Sequence, residues 1–97
     1  MHIREFQQLI DRMYSERDRQ RGPAKTFIWF AEEFGELARA IARRNHAEME
    51  GEFADVLAWL VTLANVEGID LEKAIEKFTG GCPGCREMVC VCEAKME

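Results

Sequence analysis

The sequence predicts an all-α protein, an antiparallel bundle of about four helices with a short cysteine-rich metal-binding tail. Apolar residues recur at steps of three and four along most of the chain, which is the period of an amphipathic helix. No segment shows the two-residue alternation of a half-buried strand. The composition changes abruptly at residues 79–81, after which four cysteines fall within eleven residues.

The first two helices are separated by a charged break that contains Gly22. The first helix is expected over about residues 2–20, because one face carries its apolar residues: Ile3, Phe6, Leu9, Ile10, Met13 and Tyr14. Pro23 suits the first turn of the second helix, where its missing N–H costs nothing. The apolar residues of that helix are Phe27, Ile28, Phe30, Ala31, Phe34, Leu37, Ala38, Ile41 and Ala42.

The third helix is expected to begin after Asn45, a residue type that favours helix N-caps. Its apolar residues are Met49, Phe53, Val56, Leu57, Leu60, Val61 and Ala64. Gly68 is expected to end this helix, and Asp70 to start a short fourth helix from Leu71 to about Phe78. We therefore expect residues 1–79 to form one helical domain and residues 80–97 to form the tail.

Composition excludes several classes of protein. The chain has 97 residues, 47% of them hydrophobic, which suffices for one compact core. With 18 acidic and 13 basic residues its formal charge is -5, so general binding to nucleic acid is not expected. No apolar run is long enough to span a membrane, and residues 1–11 carry charges where a secretory signal needs apolar residues. A soluble cytoplasmic protein is expected.

Acidic residues three positions apart stand on two of the predicted helices. Glu33 and Glu36 share one face of the second helix, and Glu52 and Asp55 share one face of the third. If the helices pack antiparallel, the four carboxylates can converge. They lie within apolar segments, where uncompensated carboxylates repel each other and lose hydration, so they favour a bound cation. The alternative is that these acids are ordinary solvated surface residues.

The type of ligand indicates the type of metal. Carboxylates without histidine or cysteine favour Mg²⁺, Mn²⁺ or Ca²⁺ over zinc and copper. A di-iron bundle would use Glu-x-x-His pairs, and neither His2 nor His46 stands three residues after a glutamate. Lys25 and Trp29 lie on the same face of the second helix as Glu33. Trp59 lies on the same face of the third helix as Asp55. A lysine can meet a phosphate and a tryptophan can stack on a base, although both tryptophans also suit a core.

The run Glu32-Glu33-Phe34-Gly35-Glu36, followed after fifteen residues by Glu52-x-x-Asp55, resembles the signature of the MazG-like all-α nucleoside triphosphate pyrophosphohydrolases. The resemblance extends over roughly residues 25–78. It implies that Glu33, Glu36, Glu52 and Asp55 bind the metal ions, and that Glu32 supports a ligand or orients the attacking water.

The implied reaction cleaves a nucleoside triphosphate into a monophosphate and pyrophosphate with Mg²⁺ or Mn²⁺. Bound cations neutralise phosphate oxygens and activate a water. The family also implies a homodimer or homotetramer. The family often continues after its fourth helix with lysine and asparagine residues that contact phosphates; here Lys73 and Lys77 are available, but cysteine-rich sequence replaces that tail. Lys25, Lys77, Trp29 and Trp59 are substrate-binding candidates on geometry alone. The alternatives are a non-enzymatic helical interaction module and a pyrophosphohydrolase that acts on another diphosphate metabolite.

The tail holds two closely spaced cysteine pairs, Cys82 with Cys85 and Cys90 with Cys92. Pro-Gly between the first two lets the backbone wrap round an ion, as in a zinc knuckle. A structural Zn²⁺ held by the four thiolates is the main hypothesis. Disulfides, a redox-sensing role and iron are the alternatives. All four cysteines lie within the last sixteen residues. In a secreted disulfide framework they would be distributed over the fold.

Overall fold

The computed structural model describes residues 1–93, so the last four residues of the predicted tail lie outside the described residues. Its helices are α1 (Ile3–Arg21), α2 (Pro23–Arg43), α3 (His46–Glu67) and α4 (Leu71–Ala74), and a 3₁₀ turn (Ile75–Phe78) continues α4. Residues 1–93 contain no strand. The predicted all-α fold class is confirmed.

The helix ends follow the predicted signals. Gly22 alone separates α1 from α2, with a φ of 81° that favours glycine, and Pro23 opens α2. The Asn45 side chain accepts a hydrogen bond of 3.1 Å from the N–H of Glu48 and caps α3. Gly68 ends α3 in the left-handed conformation, and Asp70 caps α4.

The core forms where α1 and α2 each pack against α3. A two-residue connection between α2 and α3 makes them a helical hairpin. The buried apolar side chains come from all three long helices and are Ile10, Leu37, Ala40, Val61 and Ala64. The hairpin therefore sets the relative positions of the two acidic pairs.

A polar connection ties the start of α1 to the end of α3. The buried Gln7 amide donates to Asn65 Oδ1 (3.0 Å) and to the carbonyl of Ile69 (2.7 Å), and its oxygen accepts from the N–H of Leu71 (2.9 Å). Arg4 adds ion pairs of 3.0 Å to Asp70 and Glu72. These contacts hold the short α4 against α1.

Large apolar side chains remain exposed on the outer faces of α2 and α3. Phe27, Phe34 and Ile41 recur at steps of seven along α2, and more than two fifths of each is exposed. Those of α3 are Phe53, Leu57 and Leu60. Among residues 1–93, none of the helices combines the length and apolar character that a membrane crossing requires.

Candidate metal and nucleotide site

Three of the predicted carboxylates meet between α2 and α3. Glu33, Glu36 and Glu52 each offer an oxygen, and these three oxygens lie within 4.8 Å of one another. Glu33 and Glu36 are one turn apart on α2, and the α2–α3 hairpin brings Glu52 to them. All three side chains are half-buried. The packing of the hairpin therefore produces a compact acidic cluster.

The electrostatics of the cluster are unfavourable without a cation. Burial raises the pKa of Glu33 to about 7, and the neighbouring Glu36, Asp55 and Glu52 contribute to this rise. The pKa of Glu52 is also raised, first by burial and then by Glu36 and Asp55, while Arg39 acts weakly in the opposite direction. Without a cation, the cluster thus favours the protonated forms of Glu33 and Glu52.

Two oxygens of the cluster are left without partners. Glu33 Oε2 and Glu52 Oε2 are shielded from solvent, and neither has a hydrogen-bond partner within residues 1–93. An unpaired buried carboxylate oxygen is costly unless a donor or a cation meets it. The all-carboxylate ligand set and these two oxygens fit a hard divalent cation such as Mg²⁺ or Mn²⁺.

The other two predicted acids lie at the edge of this cluster. Asp55 is exposed, and its charge reaches Glu33 and Glu52 strongly enough to raise their pKa values. Its carboxylate is outside the group of three oxygens that meet within 4.8 Å. Glu32 is exposed on α2. Both keep their predicted roles as hypotheses.

A pocket of about 280 Å³ opens beside Asp55. Trp29 and Trp59 form part of its wall, with ring centroids 5.7 Å apart in an edge-to-face arrangement. The structure thus brings together the two tryptophans predicted to contact substrate. The remaining lining residues are Tyr14, Arg17, Asp18, Arg21, Ala58 and Thr62.

Four of the lining residues come from α1 and were not predicted from the sequence to lie at the site. They are Tyr14, Arg17, Asp18 and Arg21. The Arg21 guanidinium lies 5.1 Å from the ring centroid of Trp29 and 5.0 Å from that of Trp59. It also donates to Asp18 Oδ1 (3.0 Å) and to Thr26 Oγ1 (3.2 Å). In the sequence these residues belong to the charged C-terminal end of α1, which is typical of a solvated helix end.

The predicted lysines are not part of this pocket. Lys25 is exposed near the start of α2. Lys77 lines a separate hollow of about 350 Å³ beside the tail, together with Cys82 and Arg86. Their predicted contacts with phosphate remain hypotheses.

The four cysteines form a second potential metal-binding group. Their sulfur atoms all lie within 4.8 Å of one another, with Cys82 Sγ 3.6 Å from Cys90 Sγ and 3.9 Å from Cys92 Sγ. The backbone N–H of Val91 points at Cys85 Sγ (3.5 Å). Hydrogen bonds from the N–H groups of Val91 and Glu87 lower the pKa of Cys85 to about 6, which favours the thiolate.

The loop that carries these cysteines has a tight backbone. Cys82 donates its N–H to the carbonyl of Glu87 (2.8 Å), and Arg86 donates its N–H to the carbonyl of Cys82 (2.6 Å). Arg86 has a φ of 67° and Gly81 a φ of 109°. A Cβ at position 81 would lie 2.8 Å from the Arg86 carbonyl oxygen. The turn therefore requires glycine at that position.

Comparison with known families gives an independent assignment. The family model for the MazG nucleotide pyrophosphohydrolase domain matches residues 21–85, more than half of the chain. The match includes both acidic pairs and both tryptophans. No curated protein gave a significant match. The predicted family is confirmed, and the match supports nucleotide pyrophosphohydrolase activity in general terms. The chain belongs to the MazG nucleotide pyrophosphohydrolase family.

Proposed function

We propose that the protein hydrolyses a nucleoside triphosphate to a nucleoside monophosphate and pyrophosphate, with Mg²⁺ or Mn²⁺ held by Glu33, Glu36, Glu52 and Asp55. The observation that carries this proposal is the meeting of Glu33, Glu36 and Glu52 within 4.8 Å. Two of these residues have a buried, unpartnered oxygen within residues 1–93. Membership of the MazG family gives the class of reaction.

Each group has a distinct part in this proposal. When bound, the cations neutralise phosphate oxygens and lower the pKa of a water, which lets an acidic protein accept a polyanion. Glu33, Glu36 and Glu52 supply the inner ligands, and Asp55 completes the set at the edge of the pocket. Glu32 orients the attacking water. Trp29 and Trp59 offer aromatic faces to the nucleoside, while Lys25 and Lys77 attract phosphates.

Product analysis tests the reaction directly. The purified protein is incubated with a panel of ribo- and deoxyribonucleoside triphosphates and Mg²⁺, and the products are separated by ion exchange. Monophosphate and pyrophosphate are expected, with no release in EDTA. Glu36→Gln is expected to abolish release, while Glu50→Gln, an exposed glutamate on α3, keeps it. Diphosphate and phosphate as products, or no turnover with any nucleotide, would contradict the proposal.

We propose that a second copy of the chain packs against the exposed apolar side chains of α2 and α3. Phe27 and Phe34 are each more than half exposed, which is unusual for phenylalanine on a surface without a partner. A homodimer or homotetramer would cover them. Light scattering is expected to give a multiple of the 11.2 kDa chain mass. A monomeric mass would contradict this assembly.

We also propose that the cysteine group binds one structural Zn²⁺. In a tetrahedral site with Zn–S bonds of about 2.3 Å, neighbouring sulfurs are about 3.8 Å apart. The distances of 3.6 and 3.9 Å from Cys82 Sγ to Cys90 Sγ and Cys92 Sγ match this edge length. They are far longer than a disulfide bond of about 2.0 Å. Four thiolates leave no open position, so this zinc would stabilise the loop without catalysing hydrolysis.

Metal analysis of protein purified without chelator tests the zinc proposal. One zinc per chain is expected, and Co²⁺ in its place should give the absorption of a tetrahedral thiolate site. Cys90→Ser should lower the zinc content, whereas the helical circular dichroism should persist because the core lies in α1 to α3. A zinc-free tail with oxidised cysteines would contradict the proposal.

A further inference from the structure

The aromatic pocket contains a buried carboxylate that the proposed hydrolysis does not use. Asp18 is 2% exposed. Its Oδ1 accepts a hydrogen bond from Arg21, but Oδ2 is buried and has no partner within residues 1–93. A buried carboxylate oxygen without a donor costs free energy, and a protein that keeps one often uses it for function. Asp18 Oδ2 therefore keeps an unused capacity to accept a hydrogen bond.

The position of Asp18 indicates the kind of ligand that would provide this hydrogen bond. Asp18 lines the same pocket as Trp29, Trp59 and Asp55. Asp55 belongs to the carboxylate set, so a ligand in this pocket lies next to the group that would hold the metal-bound phosphates. The tryptophan rings suit a flat heterocycle. A nucleobase attached to those phosphates has both the shape and the position required.

We propose that the nucleobase of the substrate enters this pocket and that Asp18 selects bases with an exocyclic amino group. This inference rests on the proposed function, because the ligand is the substrate of the neighbouring carboxylate site. An ionised carboxylate only accepts hydrogen bonds. Cytosine, adenine and guanine each carry an amino group that donates.

Cytosine and uracil provide the sharpest comparison. Cytosine has an amino donor where uracil has a carbonyl oxygen, so uracil would place an acceptor against the Asp18 carboxylate and leave both groups unpaired. Arg21, hydrogen-bonded to Asp18, offers N–H donors beside it. A carboxylate next to a guanidinium therefore presents a hydrogen-bond acceptor beside donors. This pattern complements the edge of cytosine, where an amino donor lies next to acceptors.

The test compares kcat/KM for CTP and UTP, and for their deoxy forms, in the wild-type protein. Cytosine nucleotides are expected to be preferred on the order of 10- to 100-fold, the usual effect of a hydrogen bond to a charged group. Asp18→Asn replaces an acceptor by a donor and should bring the ratio close to one or reverse it. Glu16→Gln, an exposed acid on the same helix, is the matched control and should keep the wild-type ratio.

A purely structural role for Asp18 predicts a different result. Loss of the negative charge beside Arg21 would then lower the melting temperature and reduce kcat/KM equally for both bases. An unchanged ratio in Asp18→Asn, or a wild-type preference for uracil, would overturn the inference. If Asp18→Asn does not fold, binding of CMP and UMP to the wild-type protein decides the question, since equal affinities would also overturn it.

Base selection by Asp18 and hydrolysis at the carboxylate site give separate readouts. Turnover of triphosphates without preference for amino-bearing bases contradicts the role of Asp18 and leaves the hydrolysis intact. Absence of turnover with every nucleotide contradicts the proposed function. The CMP and UMP binding measurement still reports the base preference in that case.

Discussion

Glu33 on α2 and Glu52 on α3 bring carboxylate oxygens within 4.8 Å of each other, and each has one buried oxygen without a hydrogen-bond partner in residues 1–93. Two carboxylates held this close repel each other when ionised. The fold of the hairpin therefore imposes an electrostatic cost that a divalent cation would remove. The stability of the protein should consequently depend on pH, on bound metal and on the charge of these two side chains.

The metal-free protein should lose stability as the pH rises through neutrality. The pKa of Glu33 is raised from 4.5 to about 7 in the folded chain, so the folded state holds this proton more tightly than the unfolded state. The resulting stabilisation is complete below the unfolded pKa and is lost as the pH rises through about 7. Thermal unfolding in EDTA should show a lower melting temperature at about pH 8 than at about pH 5.

Added Mg²⁺ should raise the melting temperature more at the higher pH, where the ligands are ionised. Glu33→Gln should remove much of the pH-dependent loss, and Glu50→Gln should retain it. A metal-free melting temperature that rises over this pH interval in the wild-type protein, and equally in Glu33→Gln, would show that the carboxylates are not in contact.

Glu52→Gln should separate stability from activity. Removal of one charge relieves repulsion, so the variant should melt at a higher temperature than the wild-type protein in EDTA at about pH 8. The same change removes a metal ligand, so pyrophosphate release should fall by more than about 100-fold. Paired melting and activity assays check this. A variant that is active and no more stable would place Glu52 outside the metal site.

The Gln7 connection should contribute measurably to stability. Gln7→Ala removes three hydrogen bonds and leaves the N–H of Leu71 and the carbonyl of Ile69 without these partners. The free energy of unfolding should fall by about 2–4 kcal/mol in urea denaturation. Gln8→Ala changes the exposed neighbour and should have an effect below about 0.5 kcal/mol. Equal effects of the two changes would contradict the assigned contacts.

Two neighbouring glycines of the tail should respond differently to alanine. Gly81→Ala forces a φ of 109° on a residue with a Cβ and brings that atom to 2.8 Å from the Arg86 carbonyl oxygen. At Gly80 an added Cβ would meet open space, and the φ of this residue is not positive. Competition with a chromogenic chelator should therefore show weaker zinc binding for Gly81→Ala and near wild-type binding for Gly80→Ala. Identical affinities would contradict the described loop.

The helices could be predicted because their signals are local. Asn45, Gly68 and Asp70 act within one turn of their own positions, and the spacing of Glu33 and Glu36 places both on one face of any helix. The 3₁₀ continuation after Ala74 and the left-handed Arg44, with a φ of 58°, carry no comparable residue preference. They depend on how the chain turns between packed helices.

The contribution of α1 to the pocket could not be predicted, because it also depends on how the helices pack. Asp18 and Arg21 line one pocket with Trp29 and Trp59 only because α1 packs against α3, and no periodicity in the sequence encodes that contact. In the sequence, Arg17, Asp18 and Arg21 near the end of α1 have the pattern of a solvated helix end. The burial of Asp18 distinguishes the pocket from such a surface.

Metal binding and hydrolysis measured on the same samples decide whether the carboxylate cluster is the catalytic metal site. Mn²⁺ binding is followed by electron paramagnetic resonance, and pyrophosphate release is measured in parallel for the wild-type protein and Glu36→Gln. The wild-type protein should bind Mn²⁺ and release pyrophosphate, and the variant should lose both while its helical circular dichroism is unchanged. Undiminished pyrophosphate release by Glu36→Gln would contradict the assignment of the carboxylate cluster as the catalytic metal site.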